Sequence, residues 1–258
     1  MTILEVTNLT KQFGGLIANQ DISMNIERES ITAVIGPNGA GKTTFFNMVT
    51  GVYQPTSGEV KLDGKSIVGL KPDEVSKRGI SRTFQNIRLF GEMTVLENVL
   101  VGMHTHLKAN LLGVFFNLPS TKKEEYDAEV DAYRLLDYFG LVHLLNEKAC
   151  NLSYGNQRKL EIVRALATKP RLILLDEPAA GMNPKETVEL TEIIKAMGKQ
   201  FNVSILLIEH DMKLVMEISN HIIVLDHGVK IAEGTPEETR TNPKVIEAYL
   251  GSGAAQLS

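Results

Sequence analysis

Cysteine is almost missing from this chain of 258 residues. The single Cys150 rules out an internal disulfide, argues against a structural zinc site, and is expected as a small packing residue in a reducing compartment. A basic surplus is missing too. With a formal charge of -4, the chain lacks the Lys and Arg clusters that neutralise a phosphate backbone, so nucleic acid is not expected as a partner. Long apolar runs are absent as well: LLGVFF at 111–116 and SILLI at 204–208 fall far short of the roughly 20 residues that span a bilayer. The opening MTILEVTNLTKQF has neither the basic stretch nor the apolar core of an export signal. There is no internal repeat and no low-complexity segment. What remains is an ordinary soluble composition, 43% hydrophobic and 22% charged, long enough for a full core.

Against that background, GPNGAGKTT at 36–44 fills every position of the phosphate-loop pattern GxxxxGK[ST], at Gly36, Gly41, Lys42 and Thr43. It lies between ITAVI, which reads as a buried strand, and TTFFNMVTG, which reads as a helix stopping at Gly51. That order lets the backbone N–H groups of Gly36, Pro37, Asn38, Gly39, Ala40, Gly41 and Thr44, proline excepted, turn with the helix dipole toward phosphates. Lys42 adds a point charge on the β and γ oxygens, and the Thr43 hydroxyl can bind Mg²⁺. LILLDE at 172–177 reads as a second buried strand. It ends on Asp176, suited to hold Mg²⁺ through water, with Glu177 pointing elsewhere to orient and deprotonate an attacking water. Ser153 opens a helix with Leu160, Val163 and Leu166 on one face, so its N-terminus can receive an anion.

Other elements follow from period and punctuation. Residues 2–8 and 20–26 read as early strands framing an exposed Phe13, and from about 87 to 165 the text is helical, with Tyr126, Val130 and Tyr133 marking one face of a helix capped at Thr121. A helix near 185–199 turns Leu190, Ile193, Ile194 and Met197 to one side. HIIVLDHGVKIAEG reads as a hairpin about His227 and Gly228, and Thr235 and Asn242 mark two final helix starts. The tail GSGAAQLS has no apolar face.

The phosphate loop, LSYGN at 152–156, LILLDE, Gln85 and His210, in that arrangement, resemble the nucleotide-binding subunit of an ABC transporter over nearly the whole chain. The resemblance implies an α/β fold: a RecA-like P-loop NTPase core with a mixed sheet, an N-terminal antiparallel β subdomain and an inserted helical subdomain. Residues 1–86 and 166–250 would form the core, 87–165 the helical lobe, and 251–258 a disordered tail. It further implies that Phe13 stacks on adenine and that Gln85 reaches metal and attacking water while its loop, through Glu97, faces a membrane subunit. Ser153 and Gly155 would grip the γ-phosphate of ATP on the opposite subunit, and His210 the γ-phosphate of its own.

Tyr154, Asn156 and Asn183 stand where many relatives carry glycine, glutamine and aspartate. Together with EPAAGMNPKE, LLIEHDMKLVM and NPKVIEAYLG, they are similar to the ATPases of branched-chain amino acid importers. The expected protein is therefore a Mg-dependent ATPase on the inner face of a cell membrane. Its partners would be permease subunits, a second copy or sister ATPase and, indirectly, an extracytoplasmic binding protein. The same engine serves importers of urea or short amides and lipopolysaccharide exporters. A soluble ABC ATPase acting on DNA or ribosomes, or a small-molecule kinase, fits this length, charge and helix start less well.

Overall fold

The computed structural model describes residues 1–104 and 119–250; the LLGVFFNLPS stretch up to residue 118 and the tail expected from 251 lie outside the described residues. The chain is a mixed α/β structure built on two sheets. β1 (Thr2–Phe13) and β2 (Leu16–Glu27) form a long hairpin, and β4 (Ser57–Leu62) and β5 (Lys65–Ser66) extend it on the β1 side as an antiparallel sheet ordered β2-β1-β4-β5. The second sheet runs β10-β9-β3-β8-β7-β6. Its strands are β3 (Ile31–Ile35), β6 (Ile80–Arg82), β7 (Leu172–Asp176), β8 (Ser204–Ile208) and β9 (His221–Asp226), all parallel, with β10 (Val229–Gly234) antiparallel at the edge.

The unbroken apolar runs of the central strands follow from burial on both faces. Leu172 and Leu174 of β7, with Leu206 and Ile208 of β8, face the antiparallel sheet and α1 (Lys42–Val49), whose Phe45, Phe46 and Val49 fill the space between the sheets. Ile173, Leu175, Ile205 and Leu207 point the opposite way, into a core shared with α3 (Val95–Met103), α4 (Pro119–Tyr138), α5 (Tyr154–Ala167) and α6 (Pro184–Phe201). The period-2 alternation of side chains thus joins the helices to the parallel sheet. The β9–β10 hairpin turns at His227 and Gly228, both with positive φ (43° and 79°), the backbone of a type I′ turn. Completing the chain are α2 (Pro72–Lys77), α7 (Met212–Ile218), α8 (Pro236–Thr241), opened by a Thr235–Glu238 capping box, and α9 (Pro243–Leu250).

Three expectations change. Tyr126 and Tyr133 are exposed, and α4 instead buries Ala128, Ala132, Leu135 and Leu136, because small residues let it lie close against its neighbours. The same helix begins at Pro119, ahead of Thr121, a residue well suited to a first helical turn. Cys150 is exposed rather than packed, since it sits on a short 3-10 turn, Ala149–Asn151, whose inward residue is Ala149.

Candidate active site

The phosphate loop leaves the end of β3 and enters α1 through two glycines, Gly36 and Gly41, where the neighbouring backbone leaves no room for a side chain. A Cβ at Gly36 would overlap the Leu225 carbonyl oxygen of β9, and at Gly41 (φ 93°) it would stand 2.6 Å from the Ala18 carbonyl oxygen of β2. Both sheets therefore close on the loop. No side chain caps α1, so the N–H groups of its first turn remain free to receive an anion. Lys42 is buried and donates from Nζ to the carbonyls of Gly36 (2.7 Å) and Pro37 (2.9 Å). Burial lowers its pKa, and the nearby charges of Glu177 and Asp176 pull it back up. Thr43 is exposed at the cleft. Behind the loop, Tyr249 of α9 is hydrogen-bonded to the Gly36 backbone and its burial pushes the phenol up to about 12.

A cleft of about 580 Å³ opens over the loop, walled by residues 38–44, Leu16, Ile17, Gln85, Glu177 and His210. Glu177 has φ 48°, unusual for a residue with a Cβ, and its N–H is held by the Ile208 carbonyl at 2.9 Å. From that position its carboxylate takes two partners: His210 Nε2 at 2.6 Å from Oε1 and Gln85 Nε2, which donates to Oε2 at 3.1 Å. Residues 85, 177 and 210 thus meet above the phosphate loop.

Asp176 lies deeper, with Oδ2 paired to Arg82 Nη2 at 2.6 Å; Arg82 in turn donates from Nη1 to Asn47 on α1. Among the described residues no three His, Cys, Asp or Glu side chains enclose a metal. A hydroxyl on the first turn of α1 and a carboxylate behind it suit instead a cation that keeps waters and shares phosphate oxygens, as Mg²⁺ does.

Phe13 ends β1 at the hairpin turn. It is 42% exposed, edge-on to Tyr53 with centroids 5.2 Å apart, and Lys11 Nζ sits 4.9 Å from its ring centre. It is a partly exposed ring paired on the hairpin with Leu16, a wall of the cleft, without being one itself.

Ser153 and Gly155 also stand apart from the cleft walls. Ser153 is the exposed N-cap of α5, its Oγ accepting from Asn156 N–H at 3.4 Å. Gly155 has a packing reason to be glycine: a Cβ there would come within 2.8 Å of a Glu186 carboxylate oxygen. Glu186 belongs to the capping box that Asn183 forms at the start of α6, with Asn183 Oδ1 accepting from Glu186 N–H at 3.0 Å. Asparagine and aspartate cap equally well. Asn183→Asp is accordingly expected to leave urea-unfolding stability unchanged within about 0.5 kcal/mol, and Asn183→Ala to lower it by about 1 kcal/mol.

Several residues that shape the site carry no motif. Arg82 precedes Gln85 by three positions but meets Asp176, 94 positions away. Glu209, buried beside His210, accepts from the N–H groups of Ala179, His210 and Asp211, and its carboxyl is raised chiefly by burial. A charged residue at the end of an apolar strand was the one available signal. Arg158 and Glu161 form a fully buried ion pair on α5.

The profile of the family described as ABC transporter matches residues 19–180, and that of the branched-chain amino acid ATP-binding cassette transporters matches 229–255. The chain is 51% identical over 249 residues to the high-affinity branched-chain amino acid transport ATP-binding protein BraF of Pseudomonas aeruginosa, covering 96% of this chain and 98% of that one. It is 48% identical, with the same coverage, to the LivG protein of Escherichia coli K12 that carries the same description. Among solved structures it is similar to the ADP conformation of MJ1267, an ATP-binding cassette of an ABC transporter, with TM-score 0.84, 35% identity and coverage of 97% and 99%. A dimeric ABC transporter cassette, MJ0796, matches with TM-score 0.77, 26% identity and coverage of 91% and 99%.

Proposed function

The chain belongs to the ABC transporter ATP-binding family, and we propose that it is the ATP-hydrolysing motor of an importer of branched-chain amino acids. The observation that carries the catalytic reading is the convergence of Gln85 and His210 on Glu177 over the phosphate loop. Glu177 is the base that orients and deprotonates water. Gln85 and His210 hold its carboxylate; when ATP is present His210 turns to the γ-phosphate, while Gln85 stays beside Glu177 and reaches metal and attacking water. Gly36 to Thr44 cradle the phosphates through backbone N–H groups, while Lys42 exchanges its two carbonyl partners for phosphate oxygens. Phe13 stacks on adenine. Thr43 and Asp176, with Gln85, would hold Mg²⁺, which neutralises charge on the β and γ oxygens.

Residues 1–86 and 166–250 act in this reading as the nucleotide-binding core and 87–165 as the lobe that presents Ser153 and Gly155 to the ATP of a second subunit. Their position away from this chain's own cleft supports that division. The Gln85 to Glu97 stretch, with Phe90 47% and Met93 38% exposed, offers apolar surface to a permease. No helix among the described residues is long and apolar enough to cross a membrane. In this reading separate permease subunits carry the cargo, the chain docks on their cytoplasmic side, and an extracytoplasmic binding protein delivers it. The test is ATPase activity with candidate partners. Stimulation by reconstituted permeases and a binding protein loaded with leucine or isoleucine is expected. Stimulation by urea-loaded protein alone would reassign the cargo, and by DNA or ribosomes would remove transport altogether.

A further inference from the structure

The segment that carries Gln85 is tied to the helix that carries Ser153 by charge buried out of water. Arg158 and Glu161 on α5 are 0% and 1% exposed, with Nη1 3.1 Å from Oε2. Arg158 donates from Nη1 to the Phe84 carbonyl at 2.8 Å and from Nη2 to the Gln85 carbonyl at 2.9 Å. Glu161 Oε1 accepts from the N–H groups of Phe84 and Arg88, each at 3.3 Å. The pair therefore clasps the main chain on both sides of Gln85. Arg158 Nη2 also donates to the Tyr154 hydroxyl at 3.1 Å, and the Tyr154 ring rests against Gly181, four residues beyond Glu177. Arg158 Nε has no partner, so every hydrogen bond passes through the two fork nitrogens. Burying two charges is costly, and an apolar pair of the same volume would pack at least as well. What an apolar pair cannot supply is direction, which the planar fork imposes on the carbonyls it holds.

We propose that Arg158, with Glu161 as its counterion, is a positioning residue that couples the start of α5 to Gln85, so that engagement of Ser153 by a second subunit's nucleotide sets the Gln85–Glu177 hydrogen bond of this chain's own site. The proposal rests on the reading above, in which Gln85 and Glu177 serve hydrolysis and Ser153 acts in trans. Arg158 itself touches no substrate. A shift of the start of α5 carries the Phe84 and Gln85 carbonyls with it, because the fork is rigid and its guanidinium is fully buried. Tyr154 takes on a purpose here: it joins the loop after Glu177 to the same guanidinium.

The test uses the assembled transporter and two variants. R158M/E161L removes the fork without stranding a buried charge, and R158K keeps the charge without the fork. ATP affinity, kcat, KM and the Hill coefficient for ATP are measured for each, with and without Gln85→Ala. Both variants are expected to keep ATP affinity and KM within about twofold, to lose about 10- to 100-fold in kcat as a misplacement of the reacting groups does, and to lose cooperativity in ATP. On the Gln85→Ala background they are expected to cause no additional loss, because residues acting as a unit are non-additive. Losses that multiply across Gln85→Ala, or R158K with full kcat and cooperativity, overturn the proposal. Failure of the underlying reading looks different: Glu177→Gln and Gln85→Ala would then each retain wild-type turnover, and the proposal falls with it.

Discussion

Glu177→Gln is expected to bind ATP as tightly as the parent chain and to hydrolyse it about 10²- to 10⁴-fold more slowly, the usual contribution of a positioned base. The carboxylate does not hold nucleotide. Binding rests on the phosphate loop, whose shape depends on Gly36 against Leu225 and Gly41 against Ala18, and on the Phe13 face. Glutamine has the same outline and its amide can still pair with Gln85 or His210, so the side chains over the loop stay in place. What disappears is the group that takes a proton from water. With hydrolysis stopped and binding retained, ATP accumulates in the closed assembly, and size exclusion should show an ATP-dependent dimer that ADP does not support. Turnover at the parent rate would show that some other group acts as base; His210, already 2.6 Å from Glu177, is then the first to replace.

How much of this was legible in the sequence depends on how far apart the cooperating residues lie. The phosphate loop is contiguous, and its strand, glycines and helix signal one another within the nineteen residues from Ile31 to Val49, so the structure finds them as written. The β9–β10 turn and the Thr235 cap are equally local. Gln85, Glu177 and His210 come together only because β7 and β8 are paired neighbours and Gln85 follows β6; their kinship was available through family resemblance, not through spacing. Arg82 with Asp176 and Arg158 with Gln85 had no sequence signal, since a charged residue on a helix or strand end is ordinarily solvated. The weaker elements β4, β5, α2 and β6 gave no period because they are two to six residues long and partly exposed. α4 misled for a different reason. Its tyrosines are the larger residues at helical spacing, yet close packing selected the alanine face. Periodicity names a face; the neighbouring surfaces choose it.

Ser153→Arg is expected to leave ATP binding by the single chain intact and to abolish both ATP-dependent dimerisation and turnover. Losing the N-cap costs about 0.5–2 kcal/mol, which a chain of this size with a continuous core tolerates. Ser153→Ala provides the control for that loss alone. The cleft does not include Ser153, so its own nucleotide should be indifferent to the change. A partner's γ-phosphate is not: the free N–H groups at the start of α5 would be covered by a long side chain. Tested on the Glu177→Gln background, where ATP traps the dimer, the added arginine should return the chain to monomer at every ATP concentration; an undiminished dimer would mean that α5 does not face the second nucleotide. Mixing separates the two sites further. A Ser153→Arg chain keeps its base and a Glu177→Gln chain keeps its helix start, so one composite site of a mixed pair is whole. Turnover above the sum of the two variants alone is expected from that pair, though below the parent rate because the Ser153→Arg chain loses the coupling through Arg158 to its own Gln85, and it could not arise if Ser153 and Glu177 served the same nucleotide within one chain.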